Sequence, residues 1–443
     1  MIKIPKRIAQ TIINSLKGGV VPRIGLPYIA VGRRREVEAL LHDVDVVANG
    51  GASFRFIVGK YGSGKSFLLQ TIRNHVMDRN FIVADADLSP ERRLQGNQGQ
   101  GLATYRELMR NLSVKSKPEG GALTLVLDRW IGNVQADTAT ATGMSLDDSG
   151  FAQAVEQRIM SVIRSMQNLV HGFDFARLLS LYYRAFTEGD DELKGKVMKW
   201  FRGEYATKTE ARQELGVTVI ISDDDWYDYL KLLAYFFRQA GYEGLIVFID
   251  ELVNLYKIPN SISRQYNYEK MLTMYNDALQ GKAQYIGMVM SGTPQCIEDR
   301  HRGIYSYEAL RSRLQEGKFA QSQDMQDLMG PVLRLQPLTS EEMLVLTEKL
   351  ADIHASLYGY QRTIDDNGLA DFIKIEYGRI GADEHITPRE VIRDFIELLD
   401  ILYQNPSADL RALLQSDAFS YAKPSLEQQA GVATDPRFAE FSI

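Results

Sequence analysis

Apolar positions along the 443-residue chain change period several times, and each change marks an element. In KRIAQTIINSLKGG, the residues Ile8, Ile12, Ile13 and Leu16 recur at helical spacing. A first helix is therefore predicted, opened by Pro5 at an N1-like position and ended by Gly18-Gly19. The Pro- and Gly-bearing VPRIGLPYIAVG reads as an irregular connection, followed by an amphipathic helix near residues 33–47. FRFIV is a short, continuous apolar run of the kind found in buried parallel strands. FLLQTIRNHVMDR then returns to helical period, and FIVADADL is a second buried strand.

From about residue 89 to 240 the pattern is helical: LATYRELMRNL, FAQAVEQRIMSVIRSMQNLV, FARLLSLYYRAF and DDWYDYLKLLAYFFRQA. Between them NVQADTATATGMSLDDSG is polar, small and aperiodic, which predicts a loop. Trp200, Tyr182, Tyr183 and the run Tyr235-Phe236-Phe237 read as core in preference to nucleobase-stacking platforms. ATKTEARQELGV reads as a packed amphipathic helix ending in glycine, in preference to a DNA-recognising helix-turn-helix. Strand character returns in GLIVFIDEL and YIGMVMSGT. LRSRLQEGKF, a connection PVLRLQPL and helices at about 340–357, 367–377 and 388–403 complete the pattern. The tail from Asn405 ends in DPRFAEFSI, whose aromatic residues suggest docking on the body or on a partner.

Composition narrows the classes. With 45% hydrophobic and 24% charged residues the chain is globular, and a formal charge of −6 excludes a surface that is basic throughout, though not a local basic channel. One cysteine, Cys296, rules out an internal disulfide framework, and the six histidines show no metal-ligand spacing. The N-terminus lacks the continuous apolar run of a signal peptide, and no run approaches membrane-spanning length. A soluble, cytoplasmic protein with no membrane contact is expected.

The chemistry begins between the first strand and its helix. Gly59, Lys60, Tyr61, Gly62, Ser63, Gly64, Lys65, Ser66 and the following Phe67 fit G-x-x-x-x-G-K-S, a loop whose backbone N–H groups close around phosphates. Lys65 would reach the β- and γ-phosphates of ATP, and Ser66 would offer its hydroxyl to Mg²⁺. In LIVFIDEL an apolar strand delivers Asp250 as a second magnesium anchor and Glu251 to polarise an attacking water. Two adjacent acids favour hydrolysis over transfer to a small molecule, and no Asn-Lys-x-Asp guanine reader is present. Ser291 or Thr293 in MSGTP stands where a polar group would contact the γ-phosphate. In ALRSRLQ, Arg311 and Arg313 are candidates for an arginine supplied to a neighbouring subunit, with Arg313 preferred. In ITPREVIRDF, Thr387 is a predicted N-cap, Pro388 the first helical residue, and Arg389 a cation poorly placed for the helix dipole, which suggests a ligand role.

The ordered set VGRRREVEALL, IVGKYGSGKS, VFIDE, MSGT, LRSRL and TPRE resembles an AAA+ ATPase of the origin-recognition and STAND-like branch, over roughly residues 28–88 and 243–400. The resemblance implies an α/β P-loop NTPase with a parallel sheet, a large helical insertion and a C-terminal helical lid. It places Gly32-Arg33 near the adenine, makes Ser291 or Thr293 sensor 1, Arg313 the arginine finger and Arg389 sensor 2. The long gap between Lys65 and Asp250 departs from the compact pattern. ADLSPERRLQG, LATYRELMRNL, VMKWFRGEYATKTEARQELGV and AGYEGLIVFIDELVNLYK, with IINSLKGGVVPRIGL, are similar to the BrxC/BrxD-like ATP-binding proteins of BREX phage-defence clusters. That narrower resemblance implies an antiviral role, a helicase or other defence partner, DNA, and self-assembly into a ring or filament.

The expected organisation is an N-terminal helix and connection (1–27), a first core part with the phosphate loop (28–88), a mostly helical insertion (89–242), a second core part (243–335), a helical lid (336–404) and a tail (405–443). Two rivals stay open beside a DNA-directed ATPase. One is a nucleotide-gated scaffold or signalling switch with slow hydrolysis, and the other is a small-molecule phosphotransferase.

Overall fold

A computed structural model describes residues 4–145, 147–167, 169–315, 327–378 and 387–414. The chain opens with α1 (Lys6–Lys17), α2 (Leu26–Ile29), α3 (Arg34–Ala48), β1 (Ala52–Val58), α4 (Lys65–Asp78) and β2 (Ile82–Asp87). Helices α5 (Gln100–Arg110), α6 (Leu123–Thr142), α7 (Phe151–Met166), α8 (Gly172–Glu188), α9 (Asp191–Phe201), α10 (Lys208–Leu215) and α11 (Trp226–Gln239) precede β3 (Leu245–Asp250). Then come α12 (Val253–Tyr256), α13 (Ser261–Leu279), β4 (Ile286–Gly292), α14 (Pro294–Glu298), α15 (Glu308–Leu314) and β5 (Val332–Arg334). The C-terminal helices are α16 (Ser340–Tyr358), α17 (Asp366–Gly378), α18 (Pro388–Gln404) and α19 (Leu410–Leu414).

The strands form one parallel sheet in the order β2-β3-β4-β1-β5. Their apolar runs are continuous because both faces are covered. On one face Ile57, Val83 and Phe248 pack with Leu68, Ile72 and Val76 of α4 and with Leu40 and Val44 of α3. On the other, Phe56, Ile82 and Val247 share a core with Leu108, Trp130, Phe175, Trp200 and Phe236 from the long helical segment. Side chains of this size each contribute about 1.5–3 kcal/mol on full burial, so the helices between β2 and β3 are welded to the sheet. Trp200, Tyr182, Tyr183, Phe236 and Phe237 are all buried, which makes them core. Register sets the ligand end: Val58 pairs with both Gly292 and Arg334, and Asp87 with Asp250, so the loops after β1, β2, β3 and β4 emerge together.

Two compact units share the chain. Arg33–Gln336 holds the sheet and its helices, and the described parts of Met1–Gly32 and Pro337–Ile443 form the other. In the second unit α1 buries Ala9, Ile12 and Ile13 and packs on α16 and α18, so the two ends of the chain build one core.

Several local expectations change. The stretch expected as a loop from Asn133 is helical through Thr142, because α6 continues with Val134 and Thr138 buried. Leu127, Ile131, Val134 and Thr138 form one stripe, and the Thr138 hydroxyl is satisfied by donating to the Val134 carbonyl at 2.7 Å. PVLRLQPL, expected as a connection, contributes β5, three residues too short to show a period. Pro5 precedes the first turn of α1 instead of standing in it. Helix α13 had no sequence prediction; its buried positions include the polar Asn267 and Asp277, which blur the apolar stripe. ATKTEARQELGV supplies α10, capped by Thr207 and buried through Ala211 and Leu215 against its neighbours. The tail aromatics and most of QEGKF lie outside the described residues.

Candidate active site

At the end of β1 the chain must turn tightly enough to expose backbone N–H groups. At Gly59 a Cβ would stand 2.4 Å from the Ser63 Oγ, and Gly62 and Gly64 take φ of +76° and +96°. Side-chain-bearing residues rarely tolerate either condition. The loop leads directly into α4, whose first N–H groups point out of the helix. The Lys65 ammonium donates to the carbonyls of Gly59 and Lys60, both at 2.9 Å, so it arches back over the loop. Among the described residues the buried Ser63 hydroxyl finds no hydrogen-bond partner. Lys60 and Tyr61 are exposed and Phe67 is half-buried.

Arg33, at φ +61°, donates to the Ser63 carbonyl at 3.1 Å and pairs with Glu36 at 3.1 Å. Its guanidinium therefore braces the phosphate loop from behind. Gly32 belongs to the other unit, where a Cβ would come within 2.6 Å of Glu342 Oε1.

The end of β3 converges on the same loop. Asp250 accepts from the Ser66 hydroxyl at 3.2 Å, from the Glu251 N–H at 2.8 Å, and from the fully buried Ser291 hydroxyl. Glu251 has φ +62°, a left-handed conformation that costs a non-glycine residue about 1–3 kcal/mol and that clusters at functional positions. Desolvation raises its carboxyl above the ordinary range, helped by the charges of Asp250 and Asp87, while Lys65 pulls the other way.

Asp87 is the residue that sequence reasoning missed. It stands opposite Asp250 in the β2–β3 register, and desolvation followed by the Asp250 charge raises its own carboxyl. The signal was present, an acid closing a buried strand as Asp250 does, but only strand order makes the two neighbours. A paired hydroxyl and carboxylate, Ser66 with Asp250, supplies hard oxygen donors that suit a cation otherwise bound by phosphates and water. Among the described residues no group of three or more acidic, His or Cys side chains could hold a metal without a ligand's help.

The other predicted residues are distributed as follows. Thr293 is half-buried just after β4, and its carbonyl accepts from Cys296 at 3.1 Å. Burial pushes the Cys296 thiol up to about 11, which leaves it no nucleophile at neutral pH. On α15, Arg311 is paired with Glu308 at 2.5 Å. Arg313 is exposed and donates to the Ala309 carbonyl at 2.6 Å. Arg389 lies in the other unit, half-buried in the first turn of α18 behind Thr387 and Pro388.

Among the described residues no helix is long and apolar enough to cross a membrane. Comparison with curated proteins returns no match. A family model described as BREX system ATP-binding protein BrxC/D matches residues 4–418, which takes in the phosphate loop, Asp250-Glu251 and both units. The chain belongs to this family of BREX system ATP-binding proteins.

Proposed function

We propose that the chain is a cytoplasmic, magnesium-dependent AAA+ ATPase of phage defence, which assembles with ATP and loads, remodels or moves along DNA with a helicase or another defence protein. The observation that carries the ATPase reading is the convergence of Ser66, Glu251 and Ser291 on Asp250 at the mouth of the phosphate loop. A loop that only stored nucleotide would need no second acid beside Asp250.

In this reading the N–H groups of residues 62–66 and the Lys65 ammonium hold the phosphates, with Lys65 exchanging its two carbonyl partners for phosphate oxygens. Ser66 and Asp250 would hold Mg²⁺, whose bound form neutralises charge on the β- and γ-phosphates. Glu251 takes the proton of the attacking water, and its raised basicity suits that task. Ser291 orients Asp250, and Thr293 is the better placed of the two to meet the γ-phosphate because its side chain is not wholly enclosed. Arg313, exposed and off any carboxylate of its own helix, is assigned to a neighbouring subunit's nucleotide in a ring or filament. The sensing role of Arg389 and the lid role of the C-terminal helices follow from the AAA+ resemblance.

The test pairs Lys65→Ala with Glu251→Gln. The first should lose ATP affinity; the second should keep it, stop turnover and trap the assembly. Wild-type turnover in Glu251→Gln overturns the mechanism. An ATPase rate that is slow and indifferent to DNA transfers the protein to the rival reading, a nucleotide-gated scaffold.

A further inference from the structure

A cationic turn lies two steps from the catalytic strands. After β4 and α14 the chain runs Asp299-Arg300-His301-Arg302-Gly303, and the three central residues are all exposed. Exposed turns are normally loosely held, yet this one is fixed at every joint. Asp299 Oδ1 accepts from the N–H groups of His301 and Arg302 at 2.6 and 3.0 Å. Asp299 Oδ2 accepts from the Tyr256 hydroxyl at 3.1 Å, and the Arg302 carbonyl from the buried Tyr268 hydroxyl at 2.6 Å. Gly303 closes the turn where a Cβ would stand 2.7 Å from the Asp299 carbonyl, so no larger residue fits without movement.

The charges are presented outward. The Arg302 guanidinium lies 5.5 Å from the Tyr256 ring centroid, and it reaches towards the Ile258 carbonyl. The two residues it approaches, Tyr256 and Ile258, flank Lys257 in the chain, and Lys257 is exposed just after α12. Among the described residues neither Lys257, Arg300 nor Arg302 forms an ion pair. Asp299, within the turn, has one oxygen engaged by the turn's own N–H groups and the other by Tyr256, while the Lys257 charge also acts on the Glu251 carboxyl. In a chain of net charge −6, three unpaired cations on a preorganised edge form a local exception.

We propose that Lys257, Arg300 and Arg302, with His301 between them, form a contact for the phosphate backbone of duplex DNA; the assignment deepens the DNA part of the proposed function and rests on it. The cations are exposed, so a single phosphate would gain only weak, solvent-screened pairs. A polyanion gains by adding such contacts and releasing counterions. Rigidity favours the same partner, since little ordering entropy remains to be lost on binding. The anchors also connect the contact to the nucleotide site: Tyr256 ends the helix that begins just after Glu251, and Asp299 closes the helix that begins after Thr293.

The test uses the full chain with ATP and a fluorescein-labelled duplex of random sequence, read by anisotropy from 50 to 200 mM KCl. Lys257→Ala and Arg300→Ala should each weaken binding regardless of sequence and lower the slope of log affinity against log salt by about one. The double variant should lose about tenfold or more at 150 mM salt, and Arg300→Lys should restore most of it. Unchanged affinity and slope in the double variant overturn the contact while leaving the DNA reading intact. Absence of duplex binding by the wild-type protein in any nucleotide state overturns the DNA reading and the contact with it. If the variants keep duplex affinity but lose retention on immobilised poly-L-glutamate, the turn belongs to an acidic protein and the proposal falls.

Discussion

The hydroxyl of Ser66, in the first turn of α4, stands 3.2 Å from Asp250 Oδ2 at the end of β3. Nearly two hundred residues of mostly helical chain separate them. Their meeting fixes the distance between the phosphate loop and the acids, and the buried Ser291 hydroxyl holds the other oxygen of the same carboxylate.

Ser291→Ala should therefore act through Asp250. Loss of an outer partner of this kind typically costs about 10–100-fold in metal affinity or activity. The expected result is a Mg²⁺ midpoint for ATP hydrolysis raised by about that factor, with maximal rate recovered at high Mg²⁺. An unchanged midpoint with a depressed maximal rate would instead make Ser291 a contact of the phosphate itself.

Arg33 braces the Ser63 carbonyl, and hydrogen bonds to a charged group contribute about 1.5–3 kcal/mol. Arg33→Ala should weaken ATP binding by about tenfold or more, measured by calorimetry, with little change in melting temperature for the nucleotide-free protein. Arg33→Lys should recover little, because an ammonium lacks the fork that bonds Glu36 and Ser63 together.

Asn267 is buried, and its side-chain carbonyl accepts from the N–H groups of Leu94 and Gln95 at 2.9 Å each. Its amide also donates to the Gln95 carbonyl at 3.1 Å, so α13 pins the segment that follows β2. Asn267→Ala leaves these backbone groups without partners, at about 1–3 kcal/mol for each buried group. Chemical denaturation should show a loss of at least about 2 kcal/mol, and hydrogen exchange should accelerate first at Leu94 and Gln95.

In the unit that joins the chain ends, His354 of α16 is fully buried. Its Nδ1 lies 2.8 Å from the Tyr360 hydroxyl and its Nε2 3.1 Å from Asp400 of α18, whose other oxygen takes the Lys17 ammonium of α1 at 2.5 Å. Tyr358 and Tyr403 pack their rings on it. Burial lowers the His354 pKa, although Asp400 opposes the shift. The unfolded chain then binds the proton first, so stability is full above the unfolded value of about 6.5 and declines as pH falls below it. The Asp400 carboxyl is itself lowered, so its contribution is lost only in more acid solution. Thermal melts should show a lower transition temperature at pH 5.5 than at 7.5, and His354→Gln should flatten that difference.

The candidate nucleotide site was legible because its pattern is local. G-x-x-x-x-G-K-S dictates its own backbone, since Gly62 and Gly64 occupy conformations that other residues resist. A continuous apolar run ending in Asp250-Glu251 likewise declared a buried strand with acids at its mouth, as did the first two strands and α16 to α18 within a few residues. Where local signals were weak the reading failed: the threonine-rich half of α6 hid its buried stripe, and β5 was too short to alternate.

What no local pattern carried was adjacency. Asp87 joins the site because β2 lies beside β3, and Ser291 holds Asp250 because β4 lies on the other side. Arg33 reaches the phosphate loop through the packing of α3, and α1 completes the C-terminal unit from the opposite end of the chain. By itself the sequence determined most of the elements, the glycine-rich loop and the adjacent acids Asp250 and Glu251 at a strand end, since each follows from period or backbone constraint within a dozen residues. The partners of those residues were decided only by the tertiary structure, because they depend on strand order and helix packing that bring distant segments into contact.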